Sequence, residues 1–507
     1  MSYDYEREDK KRVAGCFTRA LLIVVLAVLA VFALASLRVG GEPEVAIEPA
    51  AKGIGARTPV TVRVAEGGRG LFRVEVQLVQ GDRVATVAEK DYEPRPAYAF
   101  WGPRTTEDEL EVEVGRETVE ELESGEATIR VVAHRAGTWA RKPDPKVAEV
   151  TLPVRLTPPS LQVLSSQHYV RQGGSEVVVY RVGDTAERSG VEAGDRWFPG
   201  FELPGGGKGE RFALFAVPYD LDDPSKVRLV AEDDVGNVAR AGFIDQFTPR
   251  APSEGRIELT DGFMDRVVPE IISNTSGYRD QGGLLENYLY VNGEMREANS
   301  KRLVELAKRS REEFLWHQPF LPLPGGQVMS PFATRRTYLY EEKPVDVQFH
   351  LGYDLASTRQ APIPAANDGV VVLAEFFGIY GNAVILDHGY GVMTLYGHLS
   401  SIDVEPGQEV ARGATIGRTG QTGLAGGDHL HFGILLQGLP VDPVEWWDRK
   451  WLTDRLSRKL GDAWSLGQPG GERRAGGERP TPPAEAGRCS DREGSAATSG
   501  SRASGAW

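Results

Sequence analysis

The sequence predicts a mainly β chain: an N-terminal membrane helix, two Ig-like β-sandwich modules, a helical connector and a C-terminal all-β domain. Three observations carry that prediction. An uncharged apolar run fills residues 20–37. Short alternating segments, separated by Gly- and Asp-containing turns, recur through residues 42–250. Most of the 8 histidines fall in one Gly-punctuated stretch from His350 to His431.

Residues 1–19 read as a cytoplasmic segment, with Lys10, Lys11, Arg12 and Arg19 close to the apolar run. Residues 20–37 make a helix of about 27 Å, near the thickness of a bilayer's hydrocarbon core. Basic residues ahead of such a helix keep the N-terminus inside. The expectation is a single-pass protein of the inner (cytoplasmic) membrane with its body outside the cytoplasm. Ala33-Leu34-Ala35 also fits a small-x-small cleavage site of a signal peptide. The length of the run favours an uncleaved signal anchor.

Residues 42–157 alternate as strands do, for example at 60–64, 72–78 and 127–132, with turns at Gly67-Gly68 and Gly81-Asp82. That pattern predicts an antiparallel sandwich. Pro158-Pro159 marks a boundary, and a second β-rich Ig-like module is expected over 158–250. Its strands fit at 176–180, 212–216 and 227–231, and its turn Asp233-Asp-Val-Gly-Asn237 resembles the closing turn of immunoglobulin-like bacterial modules. Neither module holds a constellation for chemistry. They read as spacers, or as a docking surface for a divisome or cell-wall protein.

Residues 251–320 read as a helical connector, with helices at 261–273 and 294–316; the second carries apolar Leu303, Leu306 and Phe314. It is either a brace beside the site or a plain link. A Pro/Gly-rich lead-in opens the last domain, 321–465, where Arg335, Arg336 and Tyr338 read as groove lining or, more simply, as solvated residues. The tail, 466–507, has too little apolar content to fold and is expected to be disordered.

A net charge of -14 with no basic stripe excludes a nucleic-acid partner. Two cysteines, Cys16 and Cys489, are too few for a disulfide framework.

The chemistry lies in the last domain. In a strand, His429 and His431 face the same way. Two imidazoles on one face of an apolar strand are costly unless something binds them. His350 and Asp354 are separated by a Gly-containing turn, a spacing that lets a nitrogen and a carboxylate oxygen approach one ion. Zinc accepts both donor types, and a catalytic site needs only three protein ligands. Two histidines then remain for proton handling and oxyanion stabilisation.

The motifs form an ordered set: His350-Leu-Gly-Tyr-Asp354, Asp368-Gly369, Tyr380-Gly381-Asn382, Tyr396-Gly-His398-Leu399, Val404-Glu-Pro-Gly407, Gly417-Arg-Thr-Gly420 and His429-Leu-His431-Phe432. Over residues 330–448 this set resembles the lysostaphin/LytM-type zinc endopeptidases, which cut cross-links or stem peptides of bacterial peptidoglycan. The resemblance implies a compact sheet sandwich with a narrow groove over Zn2+. It implies metal ligands at His350, Asp354 and His431 and catalytic histidines at His398 and His429. None of the five departs from the family pattern. Relatives that instead activate a cell-wall amidase usually lack some of them, so a non-catalytic LytM-like regulator is the alternative reading. A biotinyl or lipoyl carrier is set aside, because no lysine lies between His350 and Leu436. His134, His168, His317 and His388 are expected to be structural.

Overall fold

A computed structural model describes residues 5–467 of the chain, and side chains from residue 17 onward. The side chains of Lys10, Lys11 and Arg12, and the expected disordered tail beyond residue 467, lie outside the described residues. The first element is the helix Tyr5–Ala35, whose segment Phe17–Ala35 is apolar and entirely unburied. At 19 residues it is long enough to cross a bilayer.

Residues 44–154 fold as two antiparallel sheets. One pairs Glu44–Pro49, Thr58–Ala65 and Glu107–Val114; the other pairs Arg83–Asp91, Arg73–Gln80, Gly125–His134 and Lys146–Val154. Alternation decides their facing. Val60, Val62 and Val64 turn inward from one sheet and meet Val74, Val76, Ile129 and Val131 from the other. Each such side chain contributes about 1.5–3 kcal/mol on leaving water.

The second β block also has two sheets, built around Ser175–Val182 with Glu210–Ala216 and around Ala186–Ala193 with Val227–Asp233. The turn after Asp233 fastens it to the first block. There Asn237 Nδ2 donates to the Arg155 carbonyl at 3.0 Å, and Arg155 pairs with Asp234. Toward the C-terminus this block has no separate core. Phe201, Phe212, Phe314 and Tyr390 form one aromatic cluster with neighbouring ring centroids 4.6–5.9 Å apart, and one apolar cluster runs on into the last domain.

The connector differs from the sequence expectation in three places. It opens with a strand, Glu254–Leu259, parallel to Thr334–Tyr340. It contains an additional short helix, Leu284–Tyr290. The helix expected over 294–316 stops at Ala307. The cause of that stop is competition for the backbone. Ser310 Oγ and the Arg311 N–H both donate to Asp387, and the Leu315 N–H donates to the His388 carbonyl. This extended run buries Trp316 completely. The helix Asp261–Ser273 forms over the expected residues, with Thr260 capping the Phe263 N–H.

The last domain contains a three-stranded sheet of Pro362–Pro364, Thr415–Arg418 and Ser401–Ile402 and an eight-stranded antiparallel sheet. Its order is Gln327–Ser330, Tyr353–Ala356, Leu430–Leu436, Val392–Gly397, Asn382–Asp387, Gly369–Phe376 and Glu409–Val410, with Leu439–Val441 pairing Leu430–Leu436. On Leu430–Leu436, alternation sends Leu430, Phe432, Ile434 and Leu436 into one core and leaves His431 on the opposite face.

Candidate metal centre

Strand register assembles the centre. Asp354 lies opposite His431 in one antiparallel pair, and Gly397, just before His398, lies opposite His431 in the next. His350 ends the strand Lys343–His350, and the turn after it returns the chain to Asp354. His429 falls one residue before the expected strand begins to pair fully, in a bridge to Gly420. Gly352 is required in the turn. A Cβ there would sit 2.6 Å from His431 Nε2.

His350 Nε2, Asp354 Oδ1 and His431 Nδ1 form a triangle with sides of 2.9, 3.0 and 3.2 Å. Three ligands about 2.0–2.1 Å from a tetrahedral ion stand roughly 3.3 Å apart, so the donor set fits zinc after a slight expansion. Among the described residues this trio is a group whose ligand atoms could share one ion. The outer partners suit that use. His350 Nδ1 faces the Pro331 carbonyl at 3.1 Å, and a carbonyl can only accept, so Nδ1 carries the proton and Nε2 is free to ligate.

His398 and His429 stand beside the trio, their ring centroids 4.9 Å apart. Each gives its Nδ1 proton to a carbonyl at 2.8 Å, Thr422 for His398 and Gly427 for His429. In the neutral ring each Nε2 is therefore free to accept a proton, and that of His429, once protonated, faces Asp354 Oδ1 at 3.5 Å. His398 adopts a left-handed backbone, φ 67, which costs about 1–3 kcal/mol and turns its ring off the end of the strand. The loop behind it is braced by the connector helix: Arg266 donates to the Ala425 carbonyl, and Glu270 accepts from the Gly423 N–H.

Burial and charge divide the histidines. Burial pushes His431 down to about 4, against the pull of Asp354. Burial, with His429 and His431 close by, holds His398 well below the usual range. Burial opposes protonation of His429 too, but Asp354 outweighs it and the pKa rises. Burial would raise Asp354; the imidazole contacts outweigh it and hold the carboxyl well below its usual value. An ionised Asp354 beside a His431 imidazole that burial keeps neutral suits metal binding.

All five expected residues come together. Two others at the centre were not assigned to it from sequence. Arg336 donates to Asp354 Oδ2 at 2.6 Å, so it is not a solvated residue. The half-buried Tyr380 ring packs 5.4 Å from His431. Tyr338 belongs to the core under the connector helices, not to a groove. The Tyr380-Gly381-Asn382 motif was the available signal for Tyr380. His388 is structural: Nδ1 faces the Asp368 carbonyl and Nε2 meets Thr394 Oγ1, both deep in the core.

An antiparallel domain with two histidines and an aspartate converging at one end of its sheet is of the kind that can hold a metal ion. The family follows directly: residues 348–443 match Peptidase family M23, and the chain carries an M23 domain on its C-terminal side. It is 32% identical over 166 residues to the peptidoglycan DD-endopeptidase ShyA of Vibrio cholerae, covering 33% of this chain and 36% of that protein. It is 38% identical over 123 residues to the DD-carboxypeptidase/endopeptidase Mpg of Neisseria meningitidis, covering 24% and 27%. It is 30% identical over 159 residues to the murein hydrolase activator EnvC of Escherichia coli, covering 31% and 38%. The chain thus spans well under half the length of these curated relatives.

Proposed function

We propose that the chain is a zinc-dependent endopeptidase that hydrolyses peptide bonds in bacterial peptidoglycan. In this reading the helix Phe17–Ala35 anchors it in the inner membrane, with the body outside the cytoplasm. The observation that carries the proposal is the 2.9–3.2 Å triangle of His350, Asp354 and His431 with two more histidines against it. Zinc held there supplies a Lewis acid and makes water a usable nucleophile near neutral pH.

The chain's own groups do the rest. His429 Nε2 accepts a proton beside Asp354, whose charge stabilises the imidazolium that forms. His398, kept neutral by burial, stands beside His429 with ring centroids 4.9 Å apart. The proton taken up by His429 then passes from its Nε2 to the leaving amine, so the step begins and ends with a neutral imidazole.

The second reading is a regulator that binds an amidase without cutting the wall itself; the similarity to EnvC favours it. The five intact side chains favour the hydrolase. Digestion of purified peptidoglycan by the full chain, read by mass spectrometry of the released fragments, separates the two. New amino termini within stem or cross-link peptides support the hydrolase. Intact peptides, with digestion only when an amidase is added, support the regulator.

A further inference from the structure

We propose that two loops of the first β module lie in the interfacial layer of the bilayer that the N-terminal helix spans. The loops are residues 92–106 and 135–145, and the inference rests on the membrane-anchor reading above. Together they hold the side chains Tyr98, Phe100, Trp101 and Trp139, which are 51%, 57%, 78% and 87% exposed. Four large aromatics in water on two loops of one module are costly without a partner.

Their position identifies that partner. The Tyr98 ring contacts Phe32 at a centroid distance of 5.3 Å, and Phe32 belongs to the apolar segment Phe17–Ala35. Phe32 lies one turn or less from the end of that segment, a depth of about 5 Å. A helix inserted to Ala35 therefore brings the loop to headgroup level with it.

The coupling is fixed by hydrogen bonds. The buried guanidinium of Arg69 donates to the carbonyls of Arg95, Arg38 and Gly137, at 2.7, 3.2 and 2.7 Å. One side chain thus ties both loops to the helix exit. Arg38 adds a bond to the Ala99 carbonyl at 2.6 Å and lies over the Phe100 ring at 4.5 Å. The Gly40 N–H donates to the Ala136 carbonyl at 2.8 Å.

The chemistry matches an interface. Tyr and Trp concentrate where apolar rings meet hydrated headgroups. Arg141 and Lys142, exposed two and three residues after Trp139, face the layer where lipid phosphates lie. The first module would then rest on the membrane and set the height of everything beyond it.

The test uses the full chain in nanodiscs of phosphatidylcholine and phosphatidylglycerol, with and without brominated acyl chains. None of the 9 tryptophans lies in residues 1–37, so the spanning helix itself gives no signal. The expected result is quenching by brominated lipid that is lost in the Trp101→Ser, Trp139→Ser double variant, which still inserts. Co-elution with discs but no quenching overturns the inference and leaves the anchor standing. The same quenching in the double variant overturns it too, since other tryptophans then carry the signal. Failure to co-elute with discs overturns the anchor reading and this inference with it.

Discussion

Arg336 Nη2 sits 2.6 Å from Asp354 Oδ2 while the other oxygen of Asp354 faces His350 and His431. The carboxylate is therefore clamped from outside, with one oxygen paired to a fixed guanidinium and one presented to the centre. Ser330 Oγ accepts from the same guanidinium nitrogen at 2.8 Å, which sets its direction.

If Asp354 ligates zinc as proposed, removal of that clamp loosens it without touching the three donor side chains. Outer partners of this kind typically change metal affinity by about 10–100-fold. Arg336→Ala is expected to weaken zinc binding by that order in competition with a chelator, with the fold intact by circular dichroism. An unchanged zinc affinity contradicts the role.

Gly352→Ala tests the turn. Its Cβ would meet His431 Nε2 at 2.6 Å and the Phe432 carbonyl at 2.8 Å, so the ring must move. A displacement of about 1 Å in a catalytic group costs on the order of 100-fold in rate. The variant is expected to keep its melting temperature within a few degrees and lose cell-wall hydrolysis. Full activity contradicts the geometry.

A half-buried carboxyl at the joint between the second β block and the last domain makes stability depend on pH. Burial pushes Glu445 up to about 8 from 4.5, although its Oε2 accepts the Ser175 N–H at 2.7 Å. Between those values the folded chain binds more protons than the unfolded one. The stabilisation is complete below about 4.5 and is lost as pH rises through about 8, a swing on the order of 5 kcal/mol. Glu445→Gln keeps the neutral amide throughout. Its melting temperature relative to the parent is expected to climb from pH 5 to pH 8.5. Parallel curves contradict the assignment.

Near that joint, Lys459 Nζ pairs with the fully buried Glu176 at 2.8 Å. Breaking such a pair from one side costs about 3–5 kcal/mol. Lys459→Ala is expected to lower stability by that order at pH 8 and by less at pH 5. The reason is that burial already raises Glu176 to about 7, so a lone Glu176 can protonate in acid. Equal losses at both pH values contradict it.

The His429-Leu-His431 pair was legible because alternation alone fixes which side chains share a face. The same alternation marked strands such as 176–180 and 212–216 without saying what their faces cover. Hence the core shared by Phe212 and Tyr390 was not legible, since it joins residues far apart in the chain. Arg336 was illegible for a related reason. Its partner Asp354 is reached only through the hairpin that sets Thr334 opposite His350. The helix expected to continue to Trp316 failed because propensity could not register Asp387 as a rival acceptor for the Arg311 N–H.

The most direct measurement is zinc content per chain in the full protein and its single-site variants, taken beside peptidoglycan hydrolysis. The proposal predicts about one zinc in the parent and in His429→Ala, little in His431→Ala, and hydrolysis only in the parent. Full zinc in His431→Ala, or full hydrolysis in His429→Ala, would contradict it.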